Sequence, residues 1–204
     1  GYLNKKSVSK FFKRLKKNGG QLSFRKIQGS SKKVYEANIT LFNAFQKTDS
    51  DKKGKYFLER YVSAHAIMIA FEGIPAIYFN SIFGTSNDEY KYIISGNKRD
   101  LNRYKWNRET LEKLLKVKKS KEYKIYNSLT KILEIRKKQP AFHPNAIQFT
   151  LSLGDDVFGL WRQSIDRSQS IFSITNVTSN YIKFDLNTLN LSKIYLTKPI
   201  ILFN

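Results

Sequence analysis

Between Gly84 and Trp106 the chain gathers Asn87, Asp88, Arg99, Asp100, Asn102 and Arg103 in one polar stretch. These types suit the holding of a polar ligand. A guanidinium offers a planar fork of donors to carboxylates and hydroxyls, and carboxylates and amides supply acceptors. Loops of this length inside a compact protein are usually functional or disordered. The competing reading for Arg99 is a structural loop arginine paired with Asp100 or Asp88. Other chemistries lack their signatures. The chain has no cysteine, which removes disulfides and thiolate metal sites and suits a reducing compartment. It carries no metal-ligand cluster, P-loop, dinucleotide fingerprint or Ser/His/Asp constellation. His65 falls inside an apolar helix and reads as a hydrogen-bonded core residue, and His143, beside Pro144, as a loop residue.

The elements around that stretch are strongly patterned. The apolar run at 74–79 is too short for an independent helix and rich in β-formers, so it predicts a strand buried on both faces, with Pro75 at its start. The segment before it, 58–72, is a helix that is apolar almost all round. Helix, Gly73, buried strand and polar loop is the order found in a βα-barrel or a doubly wound sheet, where ligand groups gather just past strand C-termini. Upstream, Ser7 is the expected cap of a helix over 7–18, ended by Gly19 and Gly20. A strand over 21–27 follows, whereas 34–45 mixes apolar and polar residues without clean periodicity. Downstream, Asn107 caps a helix over 107–117. A stronger helix over 120–138 has Tyr126, Leu129, Ile132 and Leu133 as its apolar stripe, and Pro140 stops it. From 142 the period changes to two, predicting antiparallel strands at 147–151, 157–161, 170–176, 181–186 and 194–203.

The chain has 204 residues and a net charge of +21, with 41% apolar and 14% aromatic residues. That composition supports a packed core and is not that of a disordered chain. A basic domain rich in aromatics is also the footprint of a nucleic-acid-binding module. The excess, however, is lysine, 28 against 9 arginines, spread along the chain, and this favours a solvated basic surface. No zinc-finger, basic-zipper or RNA-recognition signature is present. No apolar run reaches the ~18 residues that a membrane span needs. A complete βα-barrel takes roughly 250 residues, and only one buried parallel strand is predicted, so a complete barrel enzyme is excluded.

The motifs at 73–78 (GIPAIY), 84–88 (GTSND) and 99–103 (RDLNR), in that order, resemble the eighth barrel strand and following loop of α-amylase-family glycoside hydrolases. More narrowly they are similar to the sucrose phosphorylase branch of glycoside hydrolase family 13, glucosylglycerate phosphorylases included. The stretch 35–40 (YEANIT) resembles that branch's acceptor-side loop, and 136–142 (RKKQPAF) the end of its last barrel helix. The resemblance implies an α/β plus all-β fold: the C-terminal segment of a (β/α)8 TIM barrel, with part of an inserted subdomain, followed by a small antiparallel β domain. It divides the chain into an acceptor-side subdomain (1–50), the end of the barrel (51–140) and the β domain (141–204). The opening Gly1 fits a piece whose beginning lies upstream, and the nucleophile, acid/base and transition-state-stabilising aspartate of the family lie on earlier strands.

What the resemblance leaves to this chain is substrate positioning. Arg99 matches the arginine that reaches the glucosyl subsite, and Arg103, Glu36, Asn38 and Asp88 are the further substrate-binding candidates. Glu36 stands where sucrose-specific members carry glutamine, and a carboxylate there suits a polyol or other acceptor differently from fructose. The implied parent transfers glucose from an α-glucoside to inorganic phosphate as co-substrate, in the cytoplasm, without organic cofactor, metal, membrane or specific nucleic acid. Its partners are a carbohydrate substrate and the missing N-terminal barrel portion. The alternatives are a stand-alone basic nucleic-acid module and an inactive remnant.

Overall fold

The computed structural model describes residues 4–26 and 32–184. The chain divides into two compact units: Gly1–Val62 with Ile77–Asn127, and Ser63–Ala76 with Ser128–Asn204.

The first unit opens with α1 (Lys5–Lys17). Its cap is Asn4 rather than Ser7: the Asn4 side-chain oxygen accepts from the Ser7 N–H at 2.8 Å, so the cap lies three residues, nearly a full turn, earlier than expected. Gly19, at φ +85°, turns the chain out of the helix. A two-stranded antiparallel hairpin follows, β1 (Gln21–Arg25) and β2 (Lys33–Asn38). Ser23 pairs with Glu36 and Phe24 with Val34, so Tyr35 is the extra residue of a bulge. Such a bulge locally re-aims side chains. Thr40 caps the short α2 (Leu41–Phe45). The connector after it is organised by Asp51, whose carboxylate accepts from the Lys55 and Tyr56 N–H groups and from Arg60. These bonds, that of Tyr56 foremost, hold the Asp51 carboxyl down to about 2.

The helix α3 (Phe57–Ala70) gives its first residues to this unit. Phe42 sits edge-on to both Phe57 and Tyr61, and the Tyr61 hydroxyl donates to the Ser81 carbonyl at 2.6 Å. After 77 come α4 (Phe79–Ile82), α5 (Glu89–Ser95), a 3-10 turn (Lys98–Asn102), α6 (Arg108–Lys116) and the start of α7 (Lys121–Lys138). Asn107 caps α6 as expected, accepting from the Thr110 N–H. Buried Ile125 of α7 packs so closely on Gly84 that a Cβ there would collide with it.

The expected strand at 74–79 is the main correction. Residues 74–78 join no ladder, Phe79 already opens α4, and Ile74 is 84% exposed. A strand buried on both faces needs a hydrogen-bonded neighbour on each side, and no described strand pairs with this run.

In the second unit β3 (Ile147–Leu151), β4 (Val157–Gln163) and β5 (Ser170–Asn176) form an antiparallel sheet in the order β3-β4-β5. Phe149, Trp161 and Phe172 lie in register across it, their rings 4.9 and 5.8 Å apart, the second pair stacked. Residues 181–184 carry no strand, and the remainder of that expected strand and the one at 194–203 lie outside the described residues.

The C-terminal end of α3 leaves carbonyls that the helix cannot satisfy, and two buried arginines take them. Arg136 of α7 donates to the carbonyls of Ile69, Phe71 and Gly73, and Arg162 of β4 to those of Ala70 and His143. Burial lowers the pKa of both guanidiniums.

Candidate functional site

The site is built where the 84–106 segment lies on the β1–β2 hairpin. That segment is not a structureless loop. Asp88 accepts from the Lys91 N–H and so caps α5, which ends at Gly96 in the left-handed conformation. The Asp88 N–H donates to the Leu101 carbonyl at 2.7 Å, closing the segment on itself. Asn87 ties it to its neighbours: its side chain accepts from the Thr40 N–H and donates to the Gly19 carbonyl, and its own N–H donates to Asn43.

On this platform the 3-10 turn carries Lys98 and Arg99 to the hairpin. Lys98 Nζ donates to the Leu22 carbonyl at 2.7 Å and lies 6.0 Å from the centre of the Phe24 ring. Arg99 Nε donates to both carboxylate oxygens of Glu36, at 3.1 and 3.2 Å. Arg99 therefore pairs with neither Asp100 nor Asp88. The Asp100 carboxyl is held below its ordinary range by the Ser95 hydroxyl and then by Lys91, 3.0 Å away. The Arg99 guanidinium is raised further by its bond to Glu36. The Glu36 contact uses Nε, Tyr35 also bonds to the guanidinium, and Arg99 stays 48% exposed, so the fork keeps donors for an anion or for sugar hydroxyls.

The structure thus brings two of the five sequence candidates together, Arg99 and Glu36. Asn38 is 1% exposed and donates to the Ser23 hydroxyl inside the hairpin. Asp88 is occupied as a helix cap, and Arg103 is exposed, its N–H bonded to the Asp100 carbonyl. Sequence reasoning missed Lys98, and it named Asn87 in the polar stretch without its role of tying that stretch to Thr40, Asn43 and Gly19. The Asn–Asp pair at 87–88 ahead of a helix was the available signal for that role. His65 is buried, as expected, and His143 is an exposed loop residue. Among the described residues no group of three or more His, Asp or Glu side chains could hold a metal ion, and no helix is long and apolar enough to cross a membrane.

Known proteins are similar to the chain over most of its length. A glucosylglycerate phosphorylase of Allomeiothermus silvanus is 30% identical over 184 residues, 85% of this chain and 33% of that protein. The chain resembles the C-terminal part of glucosylglycerate and sucrose phosphorylases. Its likeness to the glucosylglycerate phosphorylase of Escherichia coli is 25% over 191 residues, covering 93% of the chain and 34% of that protein. A sucrose phosphorylase of Agrobacterium vitis is 25% identical over 142 residues, covering 70% and 26%. The chain spans about a third of the length of the curated relatives it matches. Its fold, mixed helices with antiparallel sheets, is that of the sucrose 6F-phosphate phosphorylase of Thermoanaerobacter thermosaccharolyticum, with a TM-score of 0.60 at 18% identity over 90% of this chain and 36% of that one. No protein-family model matches the chain.

Proposed function

We propose that the chain is the C-terminal part of a glycosyl phosphorylase or transglycosylase that moves glucose from an α-glucoside, of the sucrose or glucosylglycerate type, by a retaining double displacement. The observation that carries this reading is the Arg99–Glu36 contact. It sets a donor fork suited to the glucosyl unit beside a carboxylate suited to the acceptor, and it joins two motifs 63 residues apart.

The retaining reaction needs a nucleophile and an acid/base carboxyl about 5 Å apart. In this reading both come from earlier barrel strands, so the chain by itself is inactive and contributes positioning only. Arg99 holds sugar hydroxyls, Glu36 and Arg103 face the acceptor, and Asn38 and Asp88 keep the hairpin and α5 in place. The unpaired, exposed run at 74–78 suits an eighth barrel strand whose neighbours belong to the remainder of the barrel. The parent then comprises an acceptor-side insertion over 1–50, the barrel end over 51–140 and a β domain over 141–204. Inorganic phosphate is its co-substrate, no organic cofactor takes part, and the cytoplasm is its place of work.

The test is a pair of substitutions in the chain joined to the N-terminal two thirds of the Allomeiothermus silvanus phosphorylase. Lysine keeps the charge of Arg99 but not the fork. Arg99→Lys should therefore lose nearly as much kcat/KM as Arg99→Ala, about 30- to 1000-fold. Near-normal kcat/KM in both variants with an unchanged melting temperature would remove Arg99 from the glucosyl subsite.

A further inference from the structure

Lys98 has no task in the glycosyl-transfer reading, yet it grips the hairpin where Glu36 is set. The β1–β2 ladder shifts register between Ser23 and Phe24, and Ser23 is the residue paired with Glu36. Lys98 meets β1 on either side of that pair. Its ammonium donates to the Leu22 carbonyl at 2.7 Å and stands 6.0 Å from the centre of the Phe24 ring, the outer reach of a cation–π contact. The side chain is half-buried there, although an ammonium is strongly hydrated when free.

Relative strengths decide which contact holds which. A two-stranded hairpin is marginally stable by itself, and a bulge disrupts its ladder further. The Arg99–Glu36 contact joins side chains that are 48% and 30% exposed, and ion pairs open to water contribute little. The Lys98 bond is short, charge-assisted and partly shielded, which makes it the stronger of the two. Lys98 directly precedes Arg99 in the 3-10 turn, so the turn that is tied to Leu22 also presents the guanidinium. We propose that Lys98 is a positioning residue: by tying the 3-10 turn to β1 across the Ser23–Glu36 pair, it brings the Glu36 carboxylate to the Arg99 fork and so sets the spacing of the glucosyl and acceptor sites. The effect on the two sites rests on the glycosyl-transfer reading, whereas the clamp itself does not.

Two substitutions separate the donor from the rest of the side chain. Lys98→Met keeps an apolar stem and removes the ammonium; Lys98→Arg keeps a cationic donor. In the chain itself, nitrogen-15 NMR reads the Arg99 Nε–H. Its signal should move in Lys98→Met to where it lies in Glu36→Gln, and should stay near the parent position in Lys98→Arg. The second readout uses the chain joined to the N-terminal two thirds of the Allomeiothermus silvanus phosphorylase, run towards synthesis from glucose 1-phosphate and glycerate. Lys98→Met should raise the KM for glycerate about tenfold while kcat stays within about twofold, the pattern of lost binding rather than lost chemistry. Lys98→Arg should recover most of that loss. If Lys98→Met does not fold, Lys98→Gln, whose amide is too short to reach the Leu22 carbonyl, carries the same expectations. The proposal is overturned by an Arg99 Nε–H signal that Lys98→Met leaves in place, by a fall in kcat as large as the rise in KM, or by a loss that arginine does not restore. A joined protein without activity would count against the glycosyl-transfer reading, and the Arg99 signal would still decide the clamp.

Discussion

Replacing Arg162 tests how the second unit is held together. Its side chain is fully buried, with one terminal nitrogen 2.9 Å from the Ala70 carbonyl and the other 3.0 Å from that of His143. The acceptor at Ala70 belongs to the last turn of α3, where a positive charge also complements the helix dipole. A hydrogen bond from a charged donor is worth roughly 1.5–3 kcal/mol, and Arg162→Met takes that donor from both carbonyls, leaving that of His143 only the Ala146 N–H. Part of that loss is offset, because the substitution also removes a buried charge that Arg136 repels. The net cost is about 2–4 kcal/mol, or a fall of roughly 8–30 °C in melting temperature for a unit of this size. Arg162→Lys separates charge from geometry. One ammonium cannot span both carbonyls, so lysine should destabilise at least as much as methionine. Calorimetry together with Trp161 fluorescence, which reports from the adjacent residue, measures both variants. A methionine variant melting within about 2 °C of the parent, or full rescue by lysine, would refute the reasoning.

The Asp51 carboxyl is held at about 2 against an ordinary 3.8, so the stability it contributes is complete above 3.8 and is lost as pH falls towards 2. Asp51→Asn should melt lower than the parent at pH 7, and the gap should close between pH 4 and 2 in a series of thermal melts; a pH-independent gap contradicts this. The chain alone should self-associate, because Ile74, Tyr78, Phe79, Ile93 and Ile94 are all exposed; a single monomeric boundary in sedimentation velocity at micromolar concentration would count against it. Binding to single-stranded DNA should be weak and without sequence preference. Tight binding with a steep salt dependence would instead favour a nucleic-acid module.

Much of the architecture could be read from local chemistry. Asn107 announces α6, and the period-two runs announce β3, β4 and β5, because cap and alternation are properties of a few adjacent residues. The hairpin partner β2 was hidden by its own bulge: the extra residue Tyr35 breaks the alternation that would have marked a strand. Helix α5 escaped notice because it buries no residue and shows no core-facing stripe, although Asp88 and Gly96 bracket it as caps. The run at 74–79 failed in the opposite sense, since its pattern fits a buried strand but the ladder has to come from neighbours. Within the site, the motifs carrying Arg99 and Glu36 were legible, whereas their pairing was not. Asp88 and Asp100 are local in sequence, and nothing in a linear reading brings a carboxylate 63 residues away within 3.1 Å. The two arginines that close the end of α3 were hidden for the same reason.

The central claim is that this chain completes a glycosyl phosphorylase. The most direct measurement is release of glucose 1-phosphate from glucosylglycerate and from sucrose in the presence of phosphate, by the chain alone and by the chain joined to the N-terminal two thirds of the Allomeiothermus silvanus enzyme. The account predicts no turnover by the chain alone, and turnover by the joined protein that depends on Arg99. A joined protein that melts cooperatively yet forms no glucose 1-phosphate would contradict it, as would turnover by the isolated chain that disappears on replacing Asp88.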